Sequence, residues 1–310
     1  MKPSNPAPVV DSVVRARFQA AVDAFVDKVR GDPQIVAVVV GGSLAYDVVW
    51  EKSDLDLTVV VRDQPLATRG YTLTDDGIAL NVALTTRSEF RRRLDRNVGG
   101  SWDQAYLAKG VMVHTVDESL REAFDDARRI GADDMAYSMM TMACMVLGNL
   151  EKAQKWLVAR RDPNYAQYFL SMCAEPVANM ELVLRGEPAS RASLQKALQV
   201  SPELMRRVYL DPMSRLYGEA EVEGAIAALE AYLDSHLDVI AKPVLAFLSD
   251  GEVKTGTLIR KHFDEDPHFL VHVFDWLAEK GVIEKVAQTI RITPKGRQVF
   301  EEVGYLYVAH

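Results

Sequence analysis

Two cysteines in 310 residues give no disulfide framework to read, and their spacing matches no metal-ligand pattern. Cys144 and Cys173 each fall in an apolar helical context. Buried free thiols in a reducing, cytoplasmic compartment are therefore expected. No apolar run reaches the roughly 20 residues that span a bilayer, so no membrane partner is expected. The opening Met-Lys-Pro-Ser-Asn-Pro-Ala-Pro has no apolar signal core and reads as a proline-rich tail. A basic excess is missing too: 36 Lys and Arg stand against 44 Asp and Glu, a formal net charge of -8. That balance argues against general affinity for nucleic-acid backbones but leaves room for a local basic groove. No Gly-Lys-Ser/Thr follows Gly41-Gly42-Ser43, which excludes a Walker loop there; no dinucleotide fingerprint and no Ser-His-Asp arrangement is found. What is present is the composition of an ordinary globular chain, 48% apolar and 26% charged, long enough for two or three domains.

The most constraining feature pairs Gly41-Gly42-Ser43 with Asp54-Leu55-Asp56. An apolar run, residues 35–40, ends in the glycine turn. A short segment follows, with room for one or two helical turns. A second strand-like run then opens on the two carboxylates. Side chains alternate across a strand, so Asp54 and Asp56 project from one face. Their like charges repel unless something positive lies between them. Magnesium suits such a pair, because it prefers carboxylate oxygens and keeps positions open for substrate phosphates. The backbone amides of Gly41 and Gly42, with the Ser43 hydroxyl, are suited to phosphates.

An apolar residue, Gly, Gly or Ser, a gap of about a dozen residues and then Asp-x-Asp between apolar neighbours resembles the signature of the DNA polymerase beta-like nucleotidyltransferase superfamily. The resemblance covers roughly residues 10–130. It implies an α+β protein with a small mixed-sheet core and a Mg²⁺ held by Asp54 and Asp56. Gly41, Gly42 and Ser43 would then be nucleotide-binding. The family takes a third carboxylate from a later strand. Here that strand is residues 78–84, after the turn Asp75-Asp76-Gly77, with Ile78, Leu80, Val82 and Leu84 on one face. The matching position is Asn81, which can offer a carbonyl oxygen but cannot act as a base. Either the base comes from elsewhere or the site binds nucleotide without turning it over. The antibiotic-modifying branch, of which kanamycin nucleotidyltransferase is an example, takes its base from a glutamate in the helical part. Glu151 and Glu89 are the candidates for that base. Lys152 is a further candidate phosphate contact, sharing a helical face with Lys155.

Periodicity predicts a helix over 11–29 and, from Ser88 as N-cap, one carrying Phe90 and Leu94. That second helix also holds Arg91, Arg92, Arg93 and Arg96. Such a run is usually a solvated face, the reading favoured here over a triphosphate or acidic-substrate surface. Residues 109–115 read as another strand. Strands interleaved with helices in so short a unit predict a small mixed sheet with helices on one side. From about Asp133 the texture turns helical, through 135–157, 164–184, 190–198, 202–209 and 219–237. Met139, Met142 and Met145 read as adaptable core filling.

Pro243 is expected to open a third unit, with helices over 255–263 and 269–280 and strands over 282–286 and 289–292. Thr293-Pro294-Lys295-Gly296-Arg297 should start a final helix. Leu-Ala-Glu-Lys-Gly-Val-Ile-Glu, then Ile-Thr-Pro-Lys-Gly-Arg, resembles winged-helix regulators of the MarR and PadR type. The domain expectation is thus 1–130 for the transferase core, 131–241 for a helical domain and 242–310 for a winged helix. Winged helices often place a helix in the DNA major groove. This one carries His268, His272, Asp275 and Glu279 and no arginine before Lys280, so packing or homodimerisation is favoured over DNA. His262, Asp264, His268 and His272 cluster in sequence, yet such clusters are more often exposed or packed histidines than zinc ligands.

The function expected from the resemblance is Mg²⁺-dependent transfer of a nucleoside monophosphate from a nucleoside triphosphate to a hydroxyl, releasing pyrophosphate. The acceptor is a small molecule, with protein side chains left open. The alternative is a catalytically impaired nucleotide-binding regulator, or an antitoxin-like interaction protein using the winged helix.

Overall fold

The computed structural model describes residues 11–95, 109–127, 131–190, 192–263, 266–293 and 295–308. The proline-rich residues 1–8, and Arg96, Asp264 and Pro294, lie outside the described residues. The chain divides into two compact units, residues 1–130 with 188–192, and residues 131–187 with 193–310.

The first unit is built on a five-stranded mixed sheet in the order β3-β4-β2-β1-β5. These strands are β1 (Ile35–Val40), β2 (Leu55–Val61), β3 (Gly70–Asp75), β4 (Ile78–Thr86) and β5 (Val111–Thr115). β1 runs antiparallel to β2 and β5, and β2 runs parallel to β4. Strands β3 and β4 form a hairpin around Asp76-Gly77, both with positive φ as a two-residue turn requires.

Helices cover both faces of this sheet, not one. Helix α1 (Ser12–Val29) is N-capped by Asp11 and packs Phe18, Val22 and Val26 against Val38, Leu55, Leu57 and Leu80. Alternation sends Ala37, Val39 and Val60 to the other face. There they meet Phe90 and Leu94 of α3 (Arg87–Asp95) and Leu120 and Phe124 of α4 (Glu118–Asp126). Between β1 and β2, α2 (Gly42–Ala45) is a single turn. Each large apolar side chain removed from water on these faces stabilises the unit by roughly 1.5–3 kcal/mol before entropy is counted.

The second unit is organised on α5 (Ala132–Arg160), with Met139, Met140 and Met142 buried. Met145, expected as core, is 42% exposed. The single helix predicted over 164–184 is two, α6 (Pro163–Ser171) and α7 (Ala174–Val183). Pro176 explains the break: it lacks an N–H and its ring meets the carbonyl four residues back, at Met172. Further helices are α8 (Ser193–Val200), α9 (Pro202–Met205), a π-helical turn (Arg206–Leu210), α10 (Asp211–Ser214) and α11 (Glu219–Asp234).

Pro243 does not open a unit. It lies inside α12 (Leu237–Phe247), where burial of Ile240, Ala241 and Val244 outweighs one lost hydrogen bond. Residues 242–310 fall in the same compact unit as the helices before them. After α12 come β6 (Lys254–Thr255), α13 (Gly256–Phe263), α14 (Pro267–Glu279), β7 (Glu284–Ile290) and β8 (Phe300–Leu306), with sheet order β6-β8-β7. The final helix expected after Thr293 is absent among the described residues. Phe300, Val303 and Tyr305 instead form a strand paired with β7, and tertiary pairing overrides the local helix-start signal.

Candidate active site

The chain leaves β1 at Val40 and turns tightly over the start of β2. Gly41 N–H donates to the Asp56 carbonyl at 2.9 Å. Gly42 has φ +62°, and a Cβ there would fall 2.0 Å from Asp56 Oδ2. Only glycine lets the backbone approach that carboxylate so closely. The turn α2 is closed by Tyr46 N–H to the Gly42 carbonyl and Val48 N–H to the Ser43 carbonyl. It leaves Ser43 Oγ buried without a hydrogen-bond partner.

Asp56 and Asn81 face each other across the parallel β2-β4 pair. Asn81 Nδ2 donates to Asp54 Oδ2 at 2.6 Å. Asp54, Asp56, Asn81 and the glycine turn are thus brought together, as the sequence spacing anticipates. Among the described residues no group of three or more His, Cys, Asp or Glu is placed to hold a metal ion. The donor set is therefore two carboxylates with the neutral oxygens of Asn81 and Ser43. A divalent ion fits it: the carboxylates are hard oxygen ligands, and the orphaned Ser43 hydroxyl beside the glycine cradle suits a metal-bound phosphate. An all-carboxylate cage for two ions does not match this set.

Beyond Asp56, on the side of β4 and β3, lies a cleft of about 430 Å³ lined by Asp56, Asn81, Tyr71, Thr72, Arg69 and Arg93 among others. Sequence reasoning did not identify Arg69 or the strand that follows it. The signal available was Tyr-Thr-Leu-Thr directly before the Asp76-Gly77 turn.

The arginine run on α3 splits by its surroundings. Arg91 pairs with Asp95 at 3.0 Å, Arg92 is exposed, and Arg93 turns into the cleft. Ser88 is not the cap of this helix; its hydroxyl donates to Asp63 at 2.6 Å. Thr86 caps instead: its Oγ1 accepts from Glu89 N–H, and the Glu89 carboxylate accepts from Thr86 N–H, a reciprocal capping box. Glu89 also takes a 2.6 Å bond from Arg69 Nη1. The Arg69 hydrogen bond, then the Thr86 amide, hold the Glu89 carboxyl at about 2. A carboxylate held this acidic is a poor general base at neutral pH, which argues against Glu89 in that role.

Glu151 and Lys152 belong to the second unit, on α5. Glu151 Oε1 lies 2.9 Å from His272 Nδ1 on α14, in a groove of about 340 Å³. Gly148 seats the His272 ring there, since a Cβ would come within 3.0 Å of its Nε2. The Lys152 ammonium sits 5.6 Å above the Phe169 ring. His262 stacks on Phe247 with centroids 4.2 Å apart, and His268 is exposed, so the histidines disperse. Cys144 and Cys173 are buried free thiols, and burial pushes Cys173 up to about 12. No helix among the described residues is long and apolar enough to cross a membrane.

No protein-family model matches the chain, and no curated protein matches it. Among solved structures, a nucleotidyltransferase-like protein from Exiguobacterium sibiricum 255-15 aligns with 94% of this chain and 100% of its own. The TM-score is 0.65 at 15% identity. That likeness shows a fold shared at a coarse level with that protein: a mixed-sheet region, an extensive helical region and a small C-terminal sheet.

Proposed function

We propose that the chain is a nucleotidyltransferase that moves a nucleoside monophosphate from a nucleoside triphosphate to a hydroxyl. The observation that supports this best is the approach of Gly42 to the Asp56 carboxylate, with Ser43 Oγ left unpartnered beside it. In this reading Asp54 and Asp56 hold Mg²⁺, which when bound offsets phosphate charge during in-line displacement. Gly42 and Ser43 hold the β- and γ-phosphates through their backbone amides and the hydroxyl, while Gly41, whose amide is taken by the Asp56 carbonyl, shapes the turn. Asn81 keeps Asp54 oriented through its amide. The acceptor oxygen attacks the α-phosphorus, the bond to the β-phosphate oxygen breaks, and pyrophosphate leaves. The acceptor's proton goes to a carboxylate, for which Glu151 is the candidate, oriented by His272. Lys152 is the candidate for a further phosphate contact.

Residues 242–310 are proposed to be a winged helix. Its helix α14 is engaged within its own unit: His272 meets Glu151, Lys280 meets Asp234, and Asp275 meets Tyr305 and Lys285. A helix occupied in this way supports a packing role over DNA reading.

A second reading rests on Asn81. Its amide stands where a third carboxylate would, which suits a protein that binds nucleotide and does not turn it over. One experiment separates the readings: Mg²⁺-dependent ATP binding by calorimetry, together with transfer of α-phosphate label to small-molecule and protein fractions. Binding with transfer is expected. Binding without transfer favours the second reading, and Mg²⁺-independent or absent binding overturns both.

A further inference from the structure

The sheet order sets the two ligands of the proposed reaction on opposite sides of Asp56. Strand β2, which carries Asp56, lies between β1 and β4. The glycine turn follows β1 and reaches Asp56 from that side. The 430 Å³ cleft spreads from Asp56 over β4 and β3, and neither Gly41, Gly42 nor Ser43 lines it. In-line displacement needs the attacking oxygen opposite the leaving group. With the β- and γ-phosphates on the glycine turn, the acceptor belongs in the cleft.

The cleft wall then identifies the acceptor's chemistry. Arg69 from the start of the hairpin and Arg93 from α3 both line it, with Thr72, which pairs with Asn81 across the hairpin. Arg69 is preset: Glu89, fixed by its capping box with Thr86, takes one guanidinium donor. A guanidinium has five donors in a rigid fork, so the others are left for a planar anion. Its volume is in the range of small-molecule sites. We infer that the acceptor is a small hydroxyl compound bearing a carboxylate or phosphate, bound by Arg69 and Arg93. A polycationic acceptor, of the aminoglycoside kind, would meet two guanidinium groups and is disfavoured.

This inference rests on the proposed transferase reading, and the test keeps the two apart. The full chain is saturated with Mg²⁺ and a nonhydrolysable ATP analogue, and failure of that step counts against the transferase reading alone. The saturated protein is then titrated with glycerol 3-phosphate, D-glycerate, glycerol and spermidine. Binding of at least one anion, and neither of glycerol nor spermidine, is expected; the stronger anion tells phosphate from carboxylate. Arg93→Gln and, separately, Arg69→Gln should each weaken that anion by about tenfold or more, the scale of one charge-assisted hydrogen bond. The analogue's own affinity should move far less. Spermidine binding, no anion binding to the wild type, or a loss confined to the analogue's affinity would overturn the assignment. The Arg69 variant alters an exposed side chain and reads out even where the partly buried Arg93 is needed for folding.

Discussion

Two sets of carboxylates, one in each unit, are treated in opposite ways. In the second unit, Glu181 is 7% exposed and is met by Arg185 Nη1 at 2.9 Å, Tyr232 OH at 2.9 Å and the Ser201 hydroxyl. Burial alone would raise that carboxyl, but the bonds from Ser201, Tyr232 and Arg185 outweigh it and leave it below its usual value. Asp234 has Lys280, and Asp275 has Lys285. In the first unit, Asp54 and Asp56 stand two residues apart at a strand start, and Asp54 takes its bond from a neutral amide. A hydroxyl beside them has no partner. Networks satisfied within the fold are structural. Like charges kept together beside an orphaned donor are poised for something from outside.

The sharpest way to break that contrast is at Asp54 and Asp56. Asp54→Ala and Asp56→Ala should each lower Mg²⁺-dependent ATP affinity by about a hundredfold or more, the scale of a lost charged ligand. For Asp54→Ala stability should barely move, because relief of like-charge repulsion offsets the lost Asn81 bond. Calorimetry with and without Mg²⁺ reads the first effect and thermal melting the second. Unchanged Mg²⁺-dependent affinity in a folded variant would sink the site assignment.

Glu181 tests the other side. Glu181→Gln removes the anion that Arg185, Ser201 and Tyr232 share, costing about 2 kcal/mol. In a unit of this size that lowers the melting midpoint by roughly 4–8 °C. ATP affinity should stay at the wild-type value. A variant that melts normally but loses nucleotide would erase the distinction between the two kinds of carboxylate.

Asn81→Asp sharpens the comparison within the first unit. It restores a carboxylate opposite Asp56 and should strengthen divalent-ion binding, with a second ion bound when nucleotide is present. Mn²⁺ titration of both proteins measures stoichiometry and affinity together. Identical titrations would mean that position 81 lies outside the ion's reach.

This part of the site was legible because strand alternation fixes direction. Asp54, Asp56 and Asn81 follow from a period of two and the glycine turn, and the register places Asn81 opposite Asp56. Strand β3 left only the composition of Tyr-Thr-Leu-Thr as a signal: four of its six residues are exposed, so it shows no buried alternation. Arg69 was missed, and Arg93 was not told apart from its neighbours, for a related reason. A long side chain's destination depends on what packs near it, and in sequence Arg93 is indistinguishable from Arg91 and Arg92. The helix break at Pro176 was readable in principle. The strand at 300–306 was not, because its pairing with β7 is a tertiary event.

The smallest expected effect concerns Glu89, and it separates two glutamates that look equivalent in sequence. Its carboxyl lies at about 2 rather than the usual 4.5, chiefly through Arg69. A carboxyl more acidic in the folded state stabilises the fold above its unfolded value and loses that contribution as pH falls through its folded one. Glu89 therefore contributes fully above about pH 4.5 and gives its contribution up between there and about pH 2. Arg69→Gln should move the carboxyl back toward 4.5. The return should be partial, because the Thr86 amide still donates to it. Carboxyl NMR titration of the wild type and the variant reads this directly. Turnover gives the second half of the argument. If Glu89 only steadies Arg69 at the cleft, Glu89→Gln should raise the acceptor's KM and spare kcat. Glu151→Gln, removing a base, should instead cut kcat by about 10²–10⁴-fold while leaving ATP affinity alone. The reverse pattern would make Glu89 the base, despite its acidity, and would return Glu151 to the structural carboxylates of its own unit.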